Sequence, residues 1–154
     1  MIRKALEKDV PKICDLLAQV NEVHYKGRPD IFKLGLKYSE KEVKDILQKE
    51  DTPVFVCVDQ NDEVLGYVFC LLVKQTNLSL FTDVTTLYID DLCVDNAHQR
   101  KGIGKRLFEF AVNFAKEKGC YNLTLNVWSC NPTALKFYQS LGLSPQKTYL
   151  EKIL

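Results

Sequence analysis

The sequence has no marked excess of charge, few histidines and no long hydrophobic run. Its 154 residues include 21 Lys and Arg against 20 Asp and Glu, which leaves a formal net charge of +1. Because nucleic-acid-binding and membrane-surface proteins carry a basic excess, we expect neither kind of partner. The longest apolar run, residues 67–73, is far too short to span a bilayer. The two histidines, His24 and His98, show no paired ligand spacing, so we expect no metal site.

The six cysteines form no C-x-x-C pair, and several of them lie inside apolar runs. The first five residues, Met1–Ala5, lack the apolar core of a secretory signal peptide. We therefore predict reduced, mostly buried thiols and a cytoplasmic location. A framework of three disulfides agrees with the number of cysteines, but without an export signal we do not expect it.

Length and periodicity predict one domain of mixed architecture. Single hydrophobic cores divide only beyond about 250 residues, so we predict one domain over residues 1–154. Hydrophobic periodicity and cap residues predict helices that begin after Asp9, Ser39, Gly102 and Asn131. Alternating and apolar runs predict strands over residues 2–6, 54–58, 64–73, 86–94, 122–127 and 147–154. The interleaved order indicates a mixed α/β (α+β) fold.

The turn after residues 86–94 carries the strongest chemical signal. Two glycines, Gly102 and Gly104, open the helix that follows it. The first turn of a helix leaves amide N–H groups unpaired and carries partial positive charge. Glycines let an anion approach that backbone without a Cβ in the way. The pattern indicates a phosphate-binding turn. Four cationic side chains surround it: Arg100, Lys101, Lys105 and Arg106.

Two common phosphate-binding patterns do not fit this turn. The Walker pattern fails because position 99 is Gln and position 106 is Arg. The dinucleotide pattern G-x-G-x-x-G fails because position 107 is Leu. Both failures weaken the hypothesis of a nucleotide-binding domain. The glycines alone agree equally well with an ordinary helix start flanked by solvated basic residues.

The surrounding residues resemble the GNAT superfamily of acetyl-CoA-dependent N-acetyltransferases. Its pyrophosphate signature, V-D-x-x-x-[QR]-x-x-G-x-[GA], is matched here by Val94, Asp95, Gln99, Gly102 and Gly104. Residues 88–92 resemble the family's central strand, and residues 131–138 with 141–143 resemble its second motif. The order of elements is also similar. The resemblance implies a GNAT-like fold, in which a central mixed, mostly antiparallel sheet is flanked by about four helices.

The resemblance also implies how acetyl-CoA binds. Backbone amides of the glycine turn would bind its pyrophosphate, and the end of the central strand would pair with its pantetheine arm. One strand amide would polarise the thioester carbonyl, because preorganised N–H donors favour the developing oxyanion. No covalent enzyme intermediate is needed, only two substrates held in line. The residues thereby assigned to acetyl-CoA are Leu92, Cys93, Val94, Gln99, Arg100, Lys101, Gly102, Ile103, Gly104, Lys105, Asn131 and Ala134.

Tyr138 corresponds to the family's frequent general acid, which protonates the departing CoA thiolate. The pKa of a thiol, about 8.5, and that of a phenol, about 10, are close enough for this transfer. By its helical spacing from Ala134 and Leu141 alone, Tyr138 would be a core side chain. The motif around it favours the acid.

Asp90 corresponds to the position that often carries a glutamate base in the family. The proton would pass to it directly or through a water, and because aspartate is one methylene shorter than glutamate, the water relay is favoured. Strand residues alternate between faces, which places Leu87, Ile89 and Cys93 together on one face. At least one of Asp90 and Asp91 should then be partly buried, which raises the pKa of a carboxyl group. A structural acid paired with a lysine is an equal alternative, and a bulge would change which aspartate faces the cleft.

The acceptor pocket is expected at the turn between the first two helices and in the loops after the central strands. Aromatic side chains would supply apolar or cation–π walls, and Asp30 would hold a second positive group. The same segment agrees with an ordinary surface connection. The candidates for acceptor binding are Tyr25, Asp30, Phe32, Asn126 and Trp128.

The resemblance therefore predicts an N-acetyltransferase that acts by direct attack in a ternary complex. The acceptor would be a primary amine of a small molecule, a peptide N-terminus or a lysine. A non-catalytic CoA-binding regulatory module is the alternative, and the presence of both Tyr138 and Asp90 favours the enzyme. Similar proteins often form dimers, so a homodimer is one assembly that the resemblance allows.

Overall fold

A five-stranded sheet organises the computed structural model, which describes residues 1–154. In order across the sheet, the strands are β1 (Ile2–Lys4), β2 (Val54–Val58), β3 (Val64–Gln75), β4 (Val84–Val94) and β5 (Asn122–Leu125). Neighbours are antiparallel except β4 and β5, which are parallel. The predicted mixed fold is confirmed. The helices are α1 (Val10–Gly27), α2 (Glu40–Leu47), α3 (Ile103–Glu117) and α4 (Pro132–Ser140).

The two faces of the sheet pack against different helices. On one face, α1 and α2 bury Leu17 and Val43 against the sheet. On the other face, α3 buries Leu107, and α4 contributes the partly buried Tyr138. Removal of this apolar surface from water stabilises both layers. The central strands therefore lie between two cores, and Leu87 and Cys93 of β4 belong to opposite ones.

A β-bulge interrupts the pairing of β3 with β4. Phe69 pairs with Asp91, whereas the next residue, Cys70, pairs with Ile89, so Asp90 is an extra residue without a partner. A bulge of this kind bends the strand and shifts the alternation of its side chains by one residue.

The bulge corrects the predicted faces of the central strand. Leu87 and Ile89 pack in the core beneath α3, whereas Cys93 packs in the core beneath α1. The prediction that these three side chains share one face is therefore wrong. Residues after the bulge, Asp91 among them, point to the opposite side from the one that strict alternation gives.

Two predicted helix starts have different outcomes. Ser39 and Glu42 form a capping box, in which the Glu42 amide donates to Ser39 Oγ at 3.3 Å and Glu42 accepts from the Ser39 amide at 2.8 Å. Asp9 does not cap α1 with its side chain. Its carboxylate instead accepts from the Leu6 amide at 2.8 Å and from Arg3 at 2.7 Å. A nearly fully buried carboxylate requires a cationic partner, which explains the preference for Arg3.

The prediction of a last strand over residues 147–154 is wrong. These residues form no strand, and the apolar side chains of Tyr149 and Leu154 are exposed. Without a paired neighbour, a short alternating segment gains too little to become a strand. Glu151 instead pairs with Arg28, which follows α1.

The cysteines agree with the prediction of mostly buried thiols. All six are free, and Cys14, Cys57, Cys70 and Cys93 are buried. Burial raises the pKa of Cys93 to about 12, so it remains a protonated thiol. No helix of the structure is both long enough and apolar enough to cross a membrane.

Candidate active site

The sheet opens into a cleft where β4 and β5 separate. Their pairing ends at Ile89 and Leu125, although β4 continues to Val94. The bulge at Asp90 lies at the point of separation. The cleft has a volume of about 1320 Å³ and is bounded by α1, α4, both strands and the C-terminal tail. The predicted site residues that line it are Phe32, Asp90, Leu92, Asn126, Trp128, Asn131, Ala134 and Tyr138.

The end of β4 directs backbone groups toward the open side. The Asp95 amide donates to the Leu65 carbonyl at 2.9 Å, on the β3 side. Because backbone groups of successive strand residues point to alternate sides, those of Cys93 also face β3. The groups of Leu92 and Val94 face away from β3. Of the three residues expected to pair with the pantetheine arm, Cys93 thus has its backbone groups turned to the sheet.

Side-chain amides brace the loop that follows β4. Gln19 of α1 donates to the Val94 carbonyl at 2.9 Å and accepts from the Asn96 amide at 3.1 Å. The Gln99 side chain also donates to the Val94 carbonyl, at 3.3 Å. Val94 therefore keeps only its N–H group for a ligand. Sequence reasoning missed Gln19, because a single glutamine on an amphipathic helix has no distinguishing pattern.

The glycine turn has the open backbone expected of an anion site. Gly102 has φ +75° and Arg100 has φ +61°, both in the left-handed region that favours glycine. A Cβ at Gly102 would have no neighbour within 4 Å. The backbone N–H groups of residues 103–105 donate to no other group of the protein. Gly104 has a different explanation, since a Cβ there would lie 3.3 Å from Phe137 Cζ, between α3 and α4.

Asp90 is held at both carboxylate oxygens. The Tyr38 hydroxyl donates to Oδ2 at 2.6 Å, and the Lys37 ammonium lies 2.9 Å from Oδ1. Lys37 Nζ also donates to the Asp90 backbone carbonyl at 3.0 Å. An ammonium and a phenol hydroxyl therefore occupy the two carboxylate oxygens of Asp90. This geometry matches the alternative of an acid paired with a lysine.

Asp91 lies in a more apolar environment. The hydroxyl of the fully buried Tyr67 donates to Asp91 Oδ2 at 3.1 Å. Burial raises the pKa of Asp91 to about 6, and the nearby Lys37 charge and the Tyr67 hydrogen bond limit the rise. A carboxyl group with this pKa is ionised at neutral pH and is still basic enough to accept a proton. The bulge therefore brings a second candidate base to the cleft.

The start of α4 places Asn131 and Ala134 along the cleft. The Asn131 side chain accepts from the Ala134 amide at 3.1 Å, and Pro132 follows at the first helical position. This is the predicted N-cap. Their assignment to acetyl-CoA stays a prediction.

Tyr138 belongs both to the core and to the cleft. Its ring lies beside Phe108 and Phe137, with centroid distances of 6.2 and 5.0 Å. Burial raises the pKa of its hydroxyl well above the ordinary value, and the negative charge of Asp91 adds to the effect. Tyr138 is therefore protonated at neutral pH, as a general acid must be.

Aromatic side chains stand on the acceptor side of the cleft. Phe32 stacks on His24 with a centroid distance of 5.1 Å and meets Trp128 edge-on at 4.9 Å. Burial, with the Lys37 charge, lowers the pKa of His24, which favours a neutral ring. The Asn126 amide donates to the Tyr88 hydroxyl at 3.1 Å.

Two predicted acceptor residues, Tyr25 and Asp30, are not among the residues that line the cleft. The Asp30 carboxylate is paired with Arg28 at 2.8 Å. Arg28 also pairs with Glu151 of the C-terminal tail, and both of these residues line the cleft. No sequence signal connects two residues so far apart in the chain.

Lys37, Tyr38 and Tyr67 are further residues that sequence reasoning missed. Lys37 and Tyr38 lie in the connection between α1 and α2, which has no periodic pattern, and Tyr67 lies inside an apolar strand. No group of three or more His, Cys, Asp or Glu side chains is placed to bind a metal ion.

Known proteins resemble this chain over most of its length. A model described as the Acetyltransferase (GNAT) family matches residues 19–143. Streptothricin acetyltransferase of Streptomyces lavendulae is 30% identical over 94 residues, which cover 61% of this chain and 46% of that protein. Thialysine N-epsilon-acetyltransferase of Bos taurus is 26% identical over 159 residues, which cover 92% of this chain and 82% of that protein. This chain spans about half the length of several curated relatives that it matches.

Solved structures share the same fold. A mutant of the BH1408 protein from Bacillus halodurans is 33% identical, with a TM-score of 0.96 over 100% of this chain and 99% of that chain. An aminoglycoside N-acetyltransferase in complex with CoA has a TM-score of 0.73 at 14% identity, over 100% of this chain and 98% of that chain. At that low identity, the second likeness concerns the fold alone.

Proposed function

This chain belongs to the GNAT family of acetyltransferases, and from this membership we propose that it transfers an acetyl group from acetyl-CoA to a primary amine. One observation carries the proposal. The open edge of β4 lines one cleft together with a candidate acid, Tyr138, and a candidate base, Asp91, and the loop after β4 leads to the unpaired amides at the start of α3. Each feature supplies one requirement of acetyl transfer between two bound substrates.

The backbone N–H groups of residues 103–105 bind the pyrophosphate of acetyl-CoA. The helix dipole and the side chains of Arg100, Lys101 and Lys105 add positive charge there. The open edge at Leu92 pairs with the amide groups of the pantetheine arm, as an added strand would. This arrangement directs the thioester toward the place where β4 and β5 separate.

Asp91 accepts the proton that an acceptor ammonium must lose before it can attack. The freed nitrogen lone pair forms a bond to the thioester carbon, and the N–H groups of Leu92 and Val94 stabilise the resulting oxyanion. When the C–S bond breaks, Tyr138 donates its proton to the CoA sulfur. The positively charged nitrogen then loses its extra proton, which restores Tyr138, and Asp91 releases its proton to solvent.

A binding assay and a turnover assay test the proposal together. The panel of amines contains lysine, an N-terminal peptide and the acceptors named for two relatives, thialysine and streptothricin. Release of the CoA thiol reports turnover, and thermal denaturation with acetyl-CoA reports binding. Tyr138→Phe is the matched control, since it removes one hydroxyl and keeps the ring in the core.

We expect acetyl-CoA to stabilise the wild type and Tyr138→Phe equally, while turnover in the variant falls by at least about 100-fold. Full activity of Tyr138→Phe would mean that Tyr138 has only a structural role. The absence of any stabilisation by acetyl-CoA would contradict the site. Stabilisation without turnover of any amine would favour the regulatory module instead.

A further inference from the structure

The connection between α1 and α2 brings two side chains onto the bulge of β4. Tyr38 and Lys37 together contact both carboxylate oxygens and the backbone carbonyl of Asp90. We propose that Lys37 and Tyr38 are positioning residues, which hold Asp90 away from the acceptor and leave Asp91 as the carboxylate that takes the proton. The inference rests on the proposed acetyl transfer and assigns a role to a loop that the reaction scheme does not otherwise use.

The bulge creates the need for such a clamp. It places Asp90 at the point where the strands separate, so two neighbouring carboxylates, Asp90 and Asp91, both line the cleft. Two carboxylates at one site oppose each other's ionisation. The Lys37 ammonium matches one of the two negative charges. The Tyr38 hydroxyl fixes the second oxygen of Asp90, so that this carboxylate does not turn toward the acceptor.

The two neighbours of Asp91 act on it in opposite directions. The charge of Lys37 lowers the pKa of Asp91, and the charge of Asp90 raises it. Loss of Lys37 removes the largest of the effects that lower the pKa of Asp91 and leaves the opposing effect of Asp90 in place. Asp91 would then keep its proton to higher pH, and a protonated carboxyl group cannot act as a base.

Other ionisable groups surround Asp91 but do not replace Lys37. Tyr67 from β3 donates a hydrogen bond to it. Burial keeps Tyr138 of α4 and Cys93 of β4 protonated, and His24 of α1 favours the neutral form. The charged groups elsewhere in the lining of the cleft are Arg28, Lys147 and Glu151, of which Arg28 and Glu151 pair with each other.

Carbon-13 NMR titration of the carboxyl groups tests the clamp in the full-length protein without any acceptor. The Asp91 signal is assigned by its loss in Asp91→Asn. The two test variants are Lys37→Met, which removes the charge at similar length, and Lys37→Arg, which restores it. Lys37 is an exposed loop residue with 40% of its side chain accessible, so both variants are expected to fold.

We expect the Asp91 midpoint to rise by about one pH unit in Lys37→Met, the lower end of what a nearby opposite charge produces. The midpoint should return toward the wild-type value in Lys37→Arg. In the turnover assay, the acidic limb of kcat/KM should move by the same amount. A midpoint that is unchanged in Lys37→Met, or that rises equally in both variants, would overturn the proposal.

The titration separates this inference from the proposed function. If no amine is acetylated by the wild type, the proposed function fails while the NMR midpoint still decides whether Lys37 acts on Asp91. If turnover is present but neither the midpoint nor the acidic limb moves, the clamp is wrong and the acetyl transfer stands. Tyr38→Phe removes the second contact and keeps the Lys37 charge, so its Asp91 midpoint should rise less than that of Lys37→Met.

Discussion

Replacement of Asp91 with Asn should make the protein more stable at neutral pH and less active. The folded protein partly buries Asp91, and this loss of solvation is the main cause that raises the pKa of its carboxyl group to about 6. Asn has the same shape and no charge, and its side-chain oxygen can still accept the hydrogen bond from Tyr67. The substitution therefore removes the buried charge with little change in packing.

The size of the effect follows from the two pKa values of Asp91. The ordinary value is 3.8 and the folded value is about 6. A difference of about two units, at about 1.4 kcal/mol each, corresponds to about 3 kcal/mol. Below pH 3.8 Asp91 is protonated in both states, and its contribution to stability is fully present. Between pH 3.8 and about 6, Asp91 ionises in the unfolded chain but stays protonated in the folded protein. The free energy of unfolding therefore falls over this pH range, and the contribution of Asp91 to stability is lost.

Urea denaturation of wild type and Asp91→Asn at two pH values measures this difference. At about pH 7.5 the variant should have a higher free energy of unfolding, by up to about 3 kcal/mol, and at about pH 4 the two proteins should be nearly equal. Asp45→Asn, on the exposed face of α2, is the control and should show no such dependence. Equal stability of wild type and Asp91→Asn at both pH values would refute the reasoning, as would a gain of the same size at both.

Three other substitutions test the remaining parts of the site. Gly102→Ala, at φ +75°, should cost about 1–2 kcal/mol of stability and weaken acetyl-CoA binding. The control, Gly119→Ala, at φ +68° beyond the other end of α3, should cost the same stability without changing the affinity for acetyl-CoA. Equal losses of affinity in both variants would contradict an anion site at the glycine turn. Gln19→Ala removes one hydrogen bond to the end of β4 and one to the loop that follows it. The variant should lose about 1–2 kcal/mol of unfolding free energy and bind acetyl-CoA more weakly in calorimetry. Unchanged affinity would mean that the loop keeps its conformation without Gln19. Glu151→Gln removes the charge that pairs with Arg28 at the cleft and, if the acceptor binds beside this pair, should raise the acceptor KM with little change in the denaturation midpoint. An unchanged KM would mean that the tail lines the cleft without contributing to acceptor binding.

Local patterns in the chain predicted the elements that depend on neighbouring residues. The Ser39 and Glu42 capping box forms as expected, because both partners lie within one helical turn. The turn that contains Gly102 forms for the same reason, since its conformation is a property of that residue and its neighbours. The strand predicted over residues 147–154 fails because a strand also needs a paired neighbour, which the tail does not have.

The candidate site could be predicted only in part. The glycine turn, Asn131 and Tyr138 belong to contiguous motifs, and the structure brings Asn131 and Tyr138 to the same cleft. Lys37 and Gln19 could not be found in this way. They contact β4 or the loop after it from segments that are more than 50 residues away in sequence.

The amino-acid order by itself determined the helices, most of the strands and the glycine turn before α3, because each depends on residues close together in the chain. Only the tertiary structure decided which of two adjacent aspartates carries a neutralising lysine and which lies buried beside a tyrosine. A single unpaired residue in β4 reverses the direction of every side chain after it. Burial and charge pairing, which set the chemistry of a carboxyl group, arise only when distant segments come together.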